Sequence, residues 1–194
     1  MRESAVQRKT NETNIEVKLN LDGAGRYKVN TGVGFFDHML ELFTKHAQID
    51  LELSCAGDLM VDAHHTVEDC GIALGEAIKC ALGDKKQIRR YATKFVPMDE
   101  TLMMAALDIS GRPYLSYHVT FLQGKTGDFD AELGEEFFRA VAFNAGITLH
   151  VNLQYGSNTH HIIEAAFKAF GQALREAAAI DPQLEGVFST KGVL

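Results

Sequence analysis

The sequence writes one unusual motif twice. His64-His65 and His160-His161 are each followed three residues later by a glutamate, Glu68 and Glu164, so H-H-x-x-E occurs at two places a domain apart. On a helix, residues four apart share a face while adjacent residues diverge by about 100°. His64 and Glu68 can therefore grip one metal ion while His65 points towards another, and His160, Glu164 and His161 repeat the arrangement. A single such motif is equally a helix-capping pair beside a solvated glutamate; its recurrence favours metal binding.

A duplicated motif implies a duplicated domain, and self-comparison extends the match. Both doublets open amphipathic helices, with Val67, Cys70, Leu74 and Ile78 in one and Ile163, Ala166, Phe170 and Leu174 in the other at helical spacing. A shift of 98 residues lays Phe36 to Leu40 on Gly134 to Phe138, and Ile49, Leu51 and Leu53 on Ile147, Leu149 and Val151. A shift of 88 lays Glu12-Thr13 on Glu100-Thr101, and Leu19, Leu21 and Gly23 on Leu107, Ile109 and Gly111. Each half then reads strand, Gly-containing turn, returning strand, helix, strand, helix.

The fold class this predicts is α+β: two pseudo-symmetric half-domains from an internal duplication, each a small β-sheet with two helices on one face. The halves span residues 1–90 and 91–185, joined near Asp84-Lys85-Lys86-Gln87, and each is too small to be comfortable alone. Residues 186–194 form a tail outside the repeat.

Composition narrows the function classes. The chain has 19 Lys+Arg against 26 Asp+Glu, a formal charge of −7. That disfavours phosphate polymers and anionic lipid, so neither nucleic acid nor a membrane is an expected partner. Cys55, Cys70 and Cys80 form no C-x-x-C pair, which suits a reducing compartment and excludes a disulfide framework or a structural zinc. The N-terminus lacks an apolar signal-like region, and no apolar run approaches the roughly 20 residues of a spanning helix. A cytoplasmic location is expected.

The repeat also pairs the candidate ligands: His38 with Glu136, His64 with His160, His65 with His161, and Glu68 with Glu164. That is enough for two metals at four ligands each. Imidazole with carboxylate and no thiolate favours an ion such as Mn²⁺. Six-coordinate ions would keep open positions for water or substrate. Helix geometry suggests Glu136, His64, Glu68 and His161 on one ion and His38, His65, His160 and Glu164 on the other. Of the remaining histidines, His46 ends a helix, where the dipole favours the cation, and His118 and His150 lie in strand-like stretches; all three read as structural.

Residues 61–69 and 156–168, which contain the two doublets, resemble the signature motifs of the imidazoleglycerol-phosphate dehydratase family of histidine biosynthesis. Residues 31–40, Pro97-Met98-Asp99-Glu100, residues 108–113 and Ser189-Thr190-Lys191-Gly192-Val193 resemble its other blocks in the same order. The resemblance implies a lyase with two Mn²⁺ per active site, on duplicated left-handed βαβ half-domains like domain 2 of ribosomal S5. It also implies a homo-oligomer, trimers assembled into an octahedral 24-mer, with active sites between subunits. The family commonly has a ligand histidine where this chain has Glu136.

The implied reaction dehydrates D-erythro-imidazole-glycerol phosphate to imidazole-acetol phosphate. The C–H bond to be broken is not beside a carbonyl, so the substrate's imidazole must relay electrons, as an imidazolate that expels hydroxide and leaves a diazafulvene-like intermediate. By resemblance, Glu12 and Glu164 are the catalytic carboxylates. Arg90, Arg112, Lys168, Ser189 and Lys191 match the phosphate-binding positions, and Glu12 and His38 also line the substrate site. Rival readings are a dinuclear metal hydrolase, a ribosomal-type RNA-binding module and a metal-storage shell. The lack of Asp-rich loops, the acidic charge and the open coordination count against them in turn.

Overall fold

Alternation of apolar and polar residues builds the sheets. The computed structural model describes residues 2–121 and 124–194. The first half runs β1 (Glu3–Lys9), β2 (Thr13–Asn20), β3 (Tyr27–Asn30), α1 (Gly34–Ala47), β4 (Asp50–Gly57) and α2 (His64–Leu82). The second runs β5 (Tyr91–Met98), β6 (Thr101–Asp108), β7 (Tyr114–His118), a short hairpin of β8 (Lys125–Thr126) and β9 (Phe129–Asp130), α3 (Leu133–Ala145), β10 (Thr148–Tyr155) and α4 (Thr159–Ala177). Ile15, Val17 and Leu19 of β2 and Met103, Ala105 and Leu107 of β6 point inward, where each is buried.

Two details differ from the sequence reading. Each half carries an additional leading strand, β1 and β5, which forms the antiparallel hairpin with β2 and β6. The strand after the glycine turn does not return along its predecessor: β3 pairs in parallel with β4, and β7 with β10. The sheet orders are therefore β1-β2-β4-β3 and β5-β6-β10-β7, the same topology twice. Equivalent registers recur, with Leu19 opposite Leu51 in one sheet and Leu107 opposite Leu149 in the other. The offset between halves grows from 88 to 98 because the second half inserts the β8–β9 hairpin between its third strand and its first helix. Phe129 of that hairpin is buried against the rings of Phe35 and Phe36.

The helices of each half cover one face of its own sheet and pack across to the other half, α1 on α4 and α2 on α3. Two glycines make both close approaches possible. A Cβ at Gly75 would lie 2.8 Å from the Val141 carbonyl oxygen and 3.0 Å from the Ala145 nitrogen; at Gly171 it would lie 2.8 Å from the Phe43 carbonyl and 3.1 Å from the Ala47 nitrogen. These are the same contacts related by the repeat. Between the helix pairs lies an aromatic core: Phe43 stacks on Phe170 at 5.1 Å and Phe137 on Phe167 at 4.9 Å.

The outer faces of the two sheets differ. Glu16, Lys18, Lys28 and Glu52 cover the first. The second presents Phe95 and Tyr114, each more than half exposed, beside the partly exposed Leu102 and Met104. Among the described residues no helix is long and apolar enough to cross a membrane.

Candidate metal centre

Both doublets sit in the first turn of a helix, because a short polar side chain just before each satisfies free backbone N–H groups. Asp62 Oδ1 accepts from the His64 amide at 2.8 Å, and Asn158 Oδ1 from the His160 amide at 2.9 Å.

His38 lies near the start of α1. That segment is pinned by Asp37, whose carboxylate accepts from the Thr31 amide at 2.8 Å and its hydroxyl at 2.6 Å. Because α1 packs on α4, His38 meets the second doublet. The ligand atoms of His38, His160 and Glu164 lie within 4.8 Å of one another, the trio that could hold an ion among the described residues. Glu164 Oε2 is 3.1 Å from His160 Nε2 and 3.7 Å from His38 Nε2. The carboxylate is buried, which on its own raises its pKa. Lys168 Nζ, 2.5 Å from Oε1, and the nearby His160 outweigh that and hold it below the usual range. It is thus ionised, as a metal ligand must be. Two imidazoles and an anionic carboxylate converging on one point fit a divalent ion.

The remaining predicted ligands form smaller groups within the chain. His64 Nε2 is 3.7 Å from Glu68 Oε2. Glu136 stands in the first turn of α3 with Oε2 3.7 Å from Arg139 Nε. His65 turns to Asp58 (Nδ1 to Oδ2, 3.0 Å), which raises its pKa, while its Nε2 lies 3.7 Å from Glu12. His161 gives Nδ1 to Glu100 at 2.7 Å, and its Nε2 lies 3.8 Å from Asp99. That contact, with the amides of Asn158 and Ser157, pulls the Glu100 carboxyl far below its ordinary value.

Asp58 and Glu100 are the residues that sequence reasoning missed. A carboxylate on Nδ1 fixes the tautomer and leaves Nε2 as the outward donor, the usual support for a ligating histidine. For Glu100 the signal was present: the repeat pairs it with Glu12, and the structure sets Glu12 by His65 and Glu100 by His161.

The predicted phosphate-binding residues fall into two places. Arg90 is nearly buried, bonded to Asp108 at 2.7 Å and to the Phe188 carbonyl at 2.8 Å. Arg112 is exposed, 3.7 Å from the same aspartate. The tail carrying Ser189 and Lys191 runs from Phe188 beside Arg90 to Leu194 beside Gly111. Lys168 stands apart, on Glu164 and the Met98 sulfur. His46 corrects an expectation: although it is in the last turn of α1, burial and the nearby Lys168 push its pKa down, and it meets Gln172 at 3.3 Å.

The imidazoleglycerol-phosphate dehydratase family profile matches residues 31–174. The chain belongs to this family. It is 62% identical over 193 residues to the imidazoleglycerol-phosphate dehydratase of Acetivibrio thermocellus, covering 100% of this chain and 99% of that protein. The dehydratase of Alkaliphilus metalliredigens is 63% identical, with 96% of each chain covered. Among solved structures, the Staphylococcus aureus dehydratase superposes with a TM-score of 0.84 at 45% identity, over 92% of this chain and 99% of that one. The Pyrococcus furiosus dehydratase, solved with (S)-C348, gives 0.84 at 35% identity, over 97% and 100%. Members of the dehydratase family are hydro-lyases, and this chain is an enzyme of that class, with the duplicated α+β fold they share.

Proposed function

We propose that this chain dehydrates D-erythro-imidazole-glycerol phosphate to imidazole-acetol phosphate in histidine biosynthesis, with two Mn²⁺ ions per active site. The observation that carries the reading is the convergence of His38, His160 and Glu164 in a chain of the dehydratase family. In the ligand partition, His38, His160 and Glu164 with His65 hold one ion, and Glu136, His64 and Glu68 with His161 hold the other. When bound, the ions would hold the substrate's ring nitrogens and favour the imidazolate.

The chain's own groups supply the rest. The proton lost from the ring nitrogen balances the hydroxide that the ring expels, so that the pair departs as water and leaves a diazafulvene-like intermediate. A carboxylate then takes the proton from the neighbouring carbon, a proton returns to the ring nitrogen, and the resulting enol ketonises. Glu164 is buried and engaged by Lys168, which suits a ligand. Glu12 is half exposed, with Oε1 3.7 Å from His65 Nε2, which suits a group that exchanges protons. Arg90 and Arg112, with Ser189 and Lys191 of the tail, gather cationic and hydroxyl donors for the phosphate. Arg90 also anchors the tail.

Within one chain His65 and His161 are not part of the converging trio, which fits a homo-oligomer whose copies complete each site, and the apolar outer face of the second sheet favours self-association. The assembly the resemblance implies is the trimer-built 24-mer. The three free cysteines suit a cytoplasmic enzyme.

An assay of water loss from the substrate tests the reading. Native protein with Mn²⁺ should turn over. His160→Ala should lose bound metal and activity together, whereas Glu12→Gln should keep its metal and lose about 10²- to 10⁴-fold in kcat. No water loss by the native protein would overturn the function, and an unimpaired Glu12→Gln would remove Glu12 from proton transfer.

A further inference from the structure

The two halves hold one pair of equivalent carboxylates differently. Glu12 and Glu100 each sit between the first two strands of a half, beside the second histidine of a doublet, His65 or His161. In the second half the carboxylate itself is tied down. Glu100 accepts from the Thr101 hydroxyl at 3.0 Å, the Asn158 amide at 2.8 Å and the Ser157 amide at 3.2 Å, and it meets His161 at 2.7 Å. In the first half the backbone is tied down instead. The Glu12 amide donates to Thr10 Oγ1 at 3.1 Å, and the Glu12 carbonyl accepts from the Asp58 amide at 3.1 Å. The Glu12 carboxylate stays half exposed, 3.7 Å from His65 Nε2.

One buried acid anchors that backbone to the doublet helix. Asp69, which follows Glu68 in α2, accepts from the Thr13 hydroxyl at 2.5 Å and from the Arg8 guanidinium at 2.9 Å, so it grips both strands of the β1–β2 hairpin next to Glu12. With its own proton given to Asp69, the Thr13 hydroxyl can accept from that of Thr10 at 3.3 Å, and Thr10 Oγ1 takes the amides of Glu12 and Thr13. The repeat puts Val96, Met98 and Ala165 where the first half has Arg8, Thr10 and Asp69. Val96 and Ala165 are buried, so the second half packs this place without charge, a replacement that buried ion pairs commonly tolerate. The polar clamp answers a need of the first half alone. We infer that Asp69 is a positioning residue for the reaction: through Thr13 and Arg8 it holds the Glu12 backbone beside His65 and leaves the carboxylate free to take and release a proton. It rests on the reading of Glu12 above as the proton-transferring group. Glu100, its oxygens already engaged by four partners, has no such freedom.

Steady-state kinetics of the Mn²⁺-loaded protein, with bound metal measured on the same samples, provides the test. The double variant Arg8→Val, Asp69→Ala installs the second half's own residues. It should keep its Mn²⁺ and its KM and lose about 10²-fold in kcat, the cost of a catalytic group displaced by about 1 Å. In a Glu12→Gln background the same two substitutions should lower kcat no further, because they act through Glu12. Thr13→Val removes one hydroxyl at nearly constant shape and should lower kcat in the same way, whereas Thr13→Ser should restore it; this pair decides the outcome if circular dichroism shows the double variant unfolded. Native kcat in the folded variants, an equal further loss in the Glu12→Gln background, or a loss of Mn²⁺ that accounts for the fall would overturn the inference. An unimpaired Glu12→Gln would overturn proton transfer at Glu12 itself, and the inference with it.

Discussion

At the scale of single residues, the doublets are organised by carboxylates outside the motif. The second histidine of each doublet uses Nδ1 on a carboxylate of a preceding loop or turn, Asp58 for His65 and Glu100 for His161. Replacing such a partner typically weakens metal binding by about 10- to 100-fold. Glu100→Gln is therefore expected to lower Mn²⁺ affinity by that factor while leaving the far-ultraviolet circular dichroism unchanged, and a direct Mn²⁺ titration measures it. The doublets and their glutamates were legible because helical spacing alone makes them cofacial. Asp58 and Glu100 were not, because a lone carboxylate in a loop has no period, and only folding brings it to a ring nitrogen.

Among the elements, the amphipathic helices and central strands were legible because each buries a regular apolar face. The leading strands were not. β1 is an edge strand whose residues alternate between exposed and only partly buried, and β5 carries Pro97 and Lys94, so neither writes a clear apolar alternation. The parallel placement of β3 and β7 was equally hidden, since the glycine turns that precede them permit a hairpin as readily as a crossing. What holds the helices at the spacing the site needs is backbone contact at Gly75 and Gly171. Gly171→Ala would force a methyl group to within 2.8 Å of the Phe43 carbonyl oxygen, separating α4 from α1. The expected cost is about 1–3 kcal/mol, read from the midpoint of urea unfolding. Because His38 is on α1 and Glu164 on α4, the same substitution should loosen the trio and weaken Mn²⁺ binding.

For the whole molecule, duplication does two things. It builds one core from two halves, and it brings the first helix of each half to the doublet helix of the other. The two copies have diverged where they meet solvent: charged residues cover one outer sheet face and rings the other. Phe95→Glu, at a position that is 58% exposed in a single chain, is accordingly expected to leave the monomer folded but reduce the oligomer, seen as a lower mass in light scattering. An unchanged mass would place the subunit contacts elsewhere. The most direct test of the whole mechanism is to strip the protein of metal and follow dehydration of imidazole glycerol phosphate as Mn²⁺ is returned. Activity should be absent at first and rise with the ion bound, reaching its plateau at two per chain. Full activity in the stripped protein, or none after two ions have bound, would contradict it.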